Sequence, residues 1–400
     1  MKIFFLANSF PNNDNQRTGV YNVRIVKQLS ENGNDIFVGF FRAWKPGRPL
    51  IVHYNFEGID VYQLSLPYIP FNKSFFFRFN IWICKYVGWA LLKNKLKEIN
   101  IIHSVDLVTN GIIAGYYAKN LRVPHVAQGI GSDINYGLNR IKRGRGFVKE
   151  MMYVNGIITN SLALENRLEG VINGSIPIKT IYRGVNISNS VENVHKNGEE
   201  GGTIFLFLGG FAGGDDLDTP KDTKGAGTLT KAWEMSEERL RELNAFLYFG
   251  GPGTNRGGLT RWRDRLKCPE LVNILGELSH KEAMEAIRKA DVVVIPSMNE
   301  GLPNVLLESY ASSKLVIGSN AGGIPEVILN GITGYIFERG NIDQLSELLI
   351  GCSRDKDLNN FMGSKGYIRV KEHFNARDYY RQIINFYETV LLNFDKSQIN

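Results

Sequence analysis

Short apolar runs recur from one end of this chain to the other, each ending at a glycine or a polar loop and most leading into a segment of helical spacing. Lys2–Ala7 is the first. The polar loop 8–18 follows, and beyond Gly19 the residues Val20, Val23, Val26 and Leu29 fall at three-residue steps until Gly33 stops the pattern. Runs at 35–41, 100–103, 124–128 and 156–159 continue the rhythm. The second half takes it up again at 203–208, 245–249, 272–275, 291–296 and 315–318. A run that is apolar throughout is buried on both faces, and strand–helix alternation sets such strands side by side in parallel between two layers of helix. The pattern predicts an α/β chain with two doubly wound sheets.

A length of 400 residues suits two domains of roughly 150–200 residues each. The polar segment 186–202, rich in Gly, Asn and Glu, is the expected linker between a first domain at 1–185 and a second at 186–375. The last stretch, 376–400, is aromatic and amphipathic (Tyr379, Tyr380, Ile383, Ile384, Tyr387, Val390, Leu391) and is expected to pack back on the first domain. Two such sheets in sequence imply a central cleft between their carboxyl edges, where open parallel sheets take their ligands.

Charge divides with the domains. Residues 1–185 hold 23 Lys and Arg against 11 Asp and Glu, a balance of +12, and the remainder holds 24 against 29, or −5. A basic half attracts something anionic. Within it, Phe75, Phe76, Phe77, Phe79, Trp82, Tyr86 and Trp89 interleave with Lys73, Arg78, Lys85, Lys93, Lys95 and Lys97, around a helix expected at 82–97. Arg140, Lys142, Arg143 and Arg145 add a second basic patch. That composition suits a helix lying in an anionic membrane interface, with an ordinary core helix and a solvated basic side as the alternative. No run reaches the roughly 18–20 uncharged apolar residues of a spanning helix. The N-terminal apolar run is too short for a signal peptide, and Cys84, Cys268 and Cys352 show no metal or redox spacing. The expected location is cytoplasmic, peripheral on the inner face of the membrane. No nucleic-acid recognition module is present, so a basic nucleic-acid-binding protein is the weaker reading.

The most informative segment runs from Ser297 to Glu308. A β-branched strand ends at Pro296, the loop carries Glu300 and Gly301, and a helix is expected to start near Pro303, a residue with no N–H to lose in a first turn. The N–H groups of Asn304 and Val305 then form an anion site suited to a diphosphate. Glu308, about one and a half turns on, can accept hydrogen bonds from the vicinal hydroxyls of a ribose, with Glu300 nearer the sugar end.

This segment resembles the E-x7-E signature of the family-4 retaining glycosyltransferases of GT-B fold. Its neighbours resemble the family's other motifs in order: Lys224-Gly225, Phe249-Gly250-Gly251-Pro252-Gly253, the stretch 272–278 followed by Ser279-His280-Lys281-Glu282, and Ala321-Gly322-Gly323-Ile324-Pro325-Glu326. The resemblance implies two Rossmann-like domains, an acceptor-binding one first and a donor-binding one second. It implies a hexose moved from a nucleoside-diphosphate sugar, as co-substrate and without cofactor or metal, to a glycan or lipid-linked acceptor, in bacterial cell-surface polysaccharide biosynthesis. Glu300, Lys224 and Asp133 are then the catalytic candidates. Glu308, Gly301, Leu302, Asn304, Val305 and Leu278, with Gly19 and His103 of the first domain, are the donor-binding candidates.

Three departures from the family pattern stand out. The arginine usual after the strand 203–208 is replaced by Gly209-Gly210-Phe211, an insertion at 212–222 precedes Lys224, and Ile130 stands where a histidine is usual in Gln128-Gly129-Ile130-Gly131-Ser132-Asp133-Ile134. Lys221 and Arg256 are the candidates for the missing cation. The insertion carries Asp216-Leu217-Asp218, a triplet that holds a metal in another glycosyltransferase fold but lacks that context here. A nucleotide-sugar epimerase of related fold is the alternative enzyme.

Overall fold

The computed structural model describes residues 1–12, 18–67, 74–137, 151, 153–187, 201–211, 222–254 and 257–399. The side chains of Phe75 and Phe76, together with Phe71, Lys73, Arg140, Lys142, Arg143, Arg145, Lys221, Arg256 and the triplet at 216–218, lie outside that description. The chain forms two units, one of Met1–Ile181 with Tyr380–Asn400, the other Tyr182–Tyr379.

In the first unit, β1 (Lys2–Ala7), β2 (Asp35–Ala43), β3 (Ile51–Phe56), β4 (Ile59–Leu66), β5 (Ile101–Val105), β6 (His125–Gly129), β7 (Gly156–Thr159) and β8 (Ile178–Thr180) form one sheet. Its order is β3-β4-β2-β1-β5-β6-β7-β8. All neighbours are parallel except β3, which runs antiparallel to β4. The helices are α1 (Val20–Glu31), α2 (Ser74–Leu92), α3 (Asn110–Leu121) and α4 (Leu162–Ile172).

The β3–β4 hairpin has no counterpart in the sequence reading. Its turn is Glu57-Gly58, both at positive φ (51° and 88°), the geometry that matches strand twist in a two-residue hairpin. Glu is a poor advertisement for that turn. The helix expected at 82–97 also shifts: α2 ends at Leu92, and Lys93, Lys95 and Lys97 follow it. Three lysines just past a helix C-terminus suit its negative end. Gly88 sits where α2 meets α3, since a Cβ there would fall 2.4 Å from the Tyr117 hydroxyl oxygen.

The second unit carries β9 (Thr203–Leu208), α5 (Ala226–Glu242), β10 (Ala245–Gly250), α6 (Gly258–Arg263), β11 (Val272–Gly276), α7 (His280–Lys289), β12 (Val292–Ile295), α8 (Asn304–Ala311), β13 (Leu315–Ser319), α9 (Ile324–Val327), β14 (Gly334–Phe337), α10 (Ile342–Arg354) and α11 (Lys356–His373). Its sheet runs β11-β10-β9-β12-β13-β14, parallel throughout. Period-two alternation covers both faces. Phe205, Phe207, Val292, Val294, Leu315 and Ile317 join one apolar cluster, around Trp233, while Leu206, Val293, Ile295 and Val316 join the other, around Tyr310.

The last helix, α12 (Ala376–Ile399), lies largely in the first unit. Phe386 and Val390 leave no room for a side chain at residue 156, where a Cβ would come within 2.8 Å of both.

Candidate active site

Strand order in the second sheet reverses between β9 and β12, whose carboxyl-end loops diverge in the chain. That switch point is where open parallel sheets bind ligands. The two loops are locked together by backbone. Gly225 sits at φ +72°, and a Cβ on it would lie 1.8 Å from the Pro296 carbonyl oxygen. Met298 donates its N–H to the Thr223 carbonyl at 3.0 Å. Only glycine permits both the dihedral and the approach.

This contact brings Lys224 against Glu300. The lysine Nζ donates to Glu300 Oε1, and the Ser297 hydroxyl donates to the same oxygen at 3.2 Å. Glu300 is mostly buried, with 12% of its side chain exposed, and Lys224 is open at 38%. Gly301 accepts the Gly323 N–H at 2.6 Å, and Gly322, at φ +54°, would place a Cβ 2.1 Å from the Glu300 carbonyl oxygen. The motif at 321–326 therefore holds the glutamate loop in shape.

Helix α8 begins one residue later than the sequence suggests, with Pro303 as its cap and Asn304 as its first residue. Pro303 offers no capping side chain, and the N–H groups of Asn304 and Val305 find no acceptor among the described residues. Four other helices of the unit differ. Asp222 accepts from the Gly225 and Gly227 N–H groups at 2.9 and 2.8 Å ahead of α5, and Ser279, Asn341 and Asp355 cap α7, α10 and α11. A protein carboxylate already fills the positive end of α5, whereas the start of α8 is left open to an anion.

Glu308 is the fifth residue of α8, 14% exposed, with His280 Nδ1 3.9 Å from its Oε1. Leu302 is 1% exposed and packs in the core, so only its backbone can meet a ligand. Val305 is half-buried against the same cluster. The Leu278 side chain packs at Gly250, where a Cβ would meet it at 2.8 Å.

The candidates of the first unit come out differently. His103 is fully buried, its Nδ1 paired with the Tyr387 hydroxyl and its Nε2 3.1 Å from Gln128 Oε1. Burial pulls its pKa down to about 4. With both ring nitrogens engaged it joins α12 to the sheet and is not a donor contact. Asp133 is 5% exposed; its carboxylate accepts from the Ile130, Gly131 and Leu107 N–H groups at 3.0, 2.9 and 2.8 Å. That occupancy makes it a brace for its loop and removes it from the catalytic candidates. Gly19, at φ +71°, would set a Cβ 2.4 Å from the Ser9 carbonyl oxygen, so the chain's own loop already requires glycine there.

Asp222, Ser297, His280 and Arg183 join the site without having been assigned a role from sequence. Asp222, three residues before Gly225, carries the familiar capping signal. Arg183 donates from Nη1 to Asn304 Oδ1 at 3.3 Å across 121 residues, which no local pattern announces. Among the described residues, no group of three or more His, Cys, Asp or Glu is arranged to hold a metal.

Two doubly wound sheets, the second ordered 3-2-1-4-5-6 in its own numbering with an open helix start at the switch point, have the GT-B fold. Residues 220–369 match the family described as Glycosyl transferases group 1, and the curated proteins similar to the chain include glycosyltransferases. It is 27% identical over 270 residues to an uncharacterized glycosyltransferase, MJ1178, of Methanocaldococcus jannaschii, covering 67% of this chain and 69% of that one. It is 24% identical to the N-acetyl-alpha-D-glucosaminyl L-malate synthase of Bacillus anthracis, over 93% of each chain. Anabaena HepE in complex with UDP-glucose superposes with a TM-score of 0.72 at 16% identity, over 97% of this chain and 100% of that one, a likeness of fold.

Proposed function

We propose that this chain is a retaining, metal-independent hexosyltransferase that moves a hexose from a nucleoside-diphosphate sugar to a glycan or lipid-linked acceptor, on the cytoplasmic side of a bacterial membrane, for cell-surface polysaccharide. The observation that carries it is the Lys224–Glu300 pair beside the open first turn of α8, with Glu308 farther along the same helix. Lys224 and the Asn304 and Val305 N–H groups take the diphosphate, Glu308 the ribose hydroxyls, and Glu300 the hexose. Charge develops on the diphosphate as the sugar C1–O bond breaks, so fixed donors there favour the transition state over the ground state. The acceptor oxygen bonds to C1 on the face the phosphate leaves, and its proton passes to the departing phosphate oxygen. No side-chain base is required, in keeping with a buried Asp133.

The names of similar proteins support a nucleotide-activated hexose, since HepE is described with UDP-glucose and the Bacillus anthracis protein by its glucosaminyl group. A thermal-shift screen of UDP-, GDP- and ADP-hexoses identifies the donor, because a ligand at a hundred times its Kd stabilises the fold by about 2.7 kcal/mol. Proton NMR of the product then reads the anomeric configuration. An inverted product sinks the retaining assignment, and loss of turnover in EDTA sinks metal independence.

We assign the exposed face of α2 to an anionic lipid surface. Phe79, Trp82 and Tyr86 are 38%, 54% and 47% exposed and follow one helical stripe. Their rings run in contact, 6.3 Å from Phe79 to Trp82 and 5.4 Å from Trp82 to Tyr86. Exposed Arg78 lies on the same helix, and exposed Lys93, Lys95 and Lys97 follow its end. Aromatic bodies with basic neighbours fit a headgroup layer, and among the described residues no helix is long and apolar enough to cross a membrane.

A further inference from the structure

We infer that Arg369 is a positioning residue for Glu300, an inference that rests on the hexose contact proposed above for that glutamate. Arg369 is half-buried on α11. It donates from Nε to the Val327 carbonyl at 2.7 Å and from Nη2 to the Glu326 carbonyl at 2.9 Å. These are the last two carbonyls of α9, a helix of four residues. So short a helix is not stable by itself, and the closing carbonyls of a helix need partners from outside it. A guanidinium suits the negative end of a helix. Its planar fork fixes the direction of both carbonyls as well as their distance.

The helix lies between that contact and the glutamate loop. At its other end, Gly323 donates its N–H to the Gly301 carbonyl at 2.6 Å, and a Cβ on Gly322 would fall 2.1 Å from the Glu300 carbonyl oxygen. With backbone so close, a shift or rotation of α9 moves the segment that carries Glu300. Arg369 is itself held in place. Its guanidinium lies over the Phe374 ring, 5.9 Å from the centroid. Helix α11 packs closely on its neighbours: a Cβ on Gly363 would fall 2.3 Å from the Ser313 carbonyl oxygen, and one on Gly366 would fall 2.5 Å from the Tyr310 ring. The arginine thus ties the support of the glutamate loop to a fixed frame.

The test is titration calorimetry on the full chain with UDP and UDP-glucose, GDP and GDP-mannose, and ADP and ADP-glucose, at a temperature where circular dichroism shows each variant folded. Displacing Glu300 removes its contact with the hexose and leaves the diphosphate and ribose contacts in place. Arg369→Gln is therefore expected to weaken the best-bound nucleotide sugar about fivefold or more, and its nucleoside diphosphate less than about twofold. Arg369→Lys, which can reach one carbonyl but cannot fix two, is expected to fall between wild type and Arg369→Gln. Adding Arg369→Gln to Glu300→Ala is expected to change sugar affinity no further, because both changes act through one contact. If Arg369→Gln weakens sugar and diphosphate alike, or weakens neither, Arg369 is only a helix cap and the inference fails. It fails too if the effects of Arg369→Gln and Glu300→Ala add in full. In each of these cases a sugar-specific loss in Glu300→Ala leaves the hexose contact standing. Should Arg369→Gln not fold, the same comparisons with Arg369→Lys decide. If wild type binds none of the three sugars, or Glu300→Ala binds them as wild type does, the hexose contact fails and the inference with it.

Discussion

The Lys224 ammonium is paired with the Glu300 carboxylate across 76 residues of sequence, at the point where the second sheet reverses its strand order. The pair is held from both sides: Gly225 presses on the Pro296 carbonyl, and Ser297 donates to the glutamate oxygen that the lysine occupies. A charged hydrogen bond contributes about 1.5–3 kcal/mol, so Lys224→Ala is expected to raise the donor Kd roughly 10- to 150-fold. The fold should lose no more than about 1 kcal/mol, because the lysine is well exposed and the ion pair is screened. Calorimetric titration of donor and a thermal melt separate the two effects. Donor affinity within twofold of wild type would remove Lys224 from the site.

Two glycines of the same region give a stability contrast. Gly225→Ala places a methyl group 1.8 Å from the Pro296 oxygen at φ +72°, while a Cβ on Gly210 meets nothing within 4 Å. The positive dihedral alone costs about 1–3 kcal/mol, and the clash forces the β9 and β12 loops apart. Gly225→Ala is expected to lower the Tm by at least about 4 °C and to lose donor binding. Gly210→Ala should melt within about 2 °C of wild type. Equal melting of the two variants would contradict the locked-loop geometry.

Asp106 supplies a pH prediction. It sits at φ +82° and accepts from the Val108 and Thr109 N–H groups at 3.0 and 2.8 Å. Burial, with Asp133 nearby, raises its pKa to about 7. The folded chain then keeps a proton that the unfolded chain releases near the ordinary aspartate value, so this residue's contribution is full below that value and is lost as pH rises towards 7. Asp106→Asn keeps the shape, tolerates the dihedral and carries no titrating proton. Urea denaturation across a pH series should show the variant gaining on wild type between about pH 4 and pH 7 and holding level above about pH 8. A difference that is flat in pH would refute the shifted carboxyl.

The strands were legible because the residues that build them are buried on both faces. Val292, Val293, Val294 and Ile295 admit no other reading beside a glycine-rich loop. The end of α2 was not, because lysines past a helix terminus look like a continuing basic face. Within the site, Glu300, Asn304, Val305 and Glu308 could be placed from one segment, since a strand, a loop and a helix start fix their order in space. Pairings such as Arg183 with Asn304 depend on how distant segments pack, and no short-range spacing encodes that. His103 and Asp133 show the opposite failure. Each stands at a strand or loop end where ligands bind, but burial and three-dimensional partners decide whether a polar group faces a ligand or is already satisfied by the protein.

The α2 face makes the last prediction. If Phe79, Trp82 and Tyr86 enter a headgroup layer, the full chain should sediment with phosphatidylglycerol vesicles at low salt and much less with phosphatidylcholine. Salt should weaken the attachment as the Debye length shrinks towards about 8 Å at physiological ionic strength. Each basic residue near an anionic surface contributes about 1 kcal/mol, so replacing Lys93, Lys95 and Lys97 together by Gln should reduce partitioning by about two orders of magnitude. Trp82→Ala should reduce it about tenfold, through lost apolar contact, and should respond less to salt than the lysine variant. Neither change should alter donor Kd, because both lie in the first unit and the residues assigned to the nucleotide belong to the second. Equal sedimentation with neutral and anionic vesicles, or none at low salt, would return this face to an ordinary solvated surface.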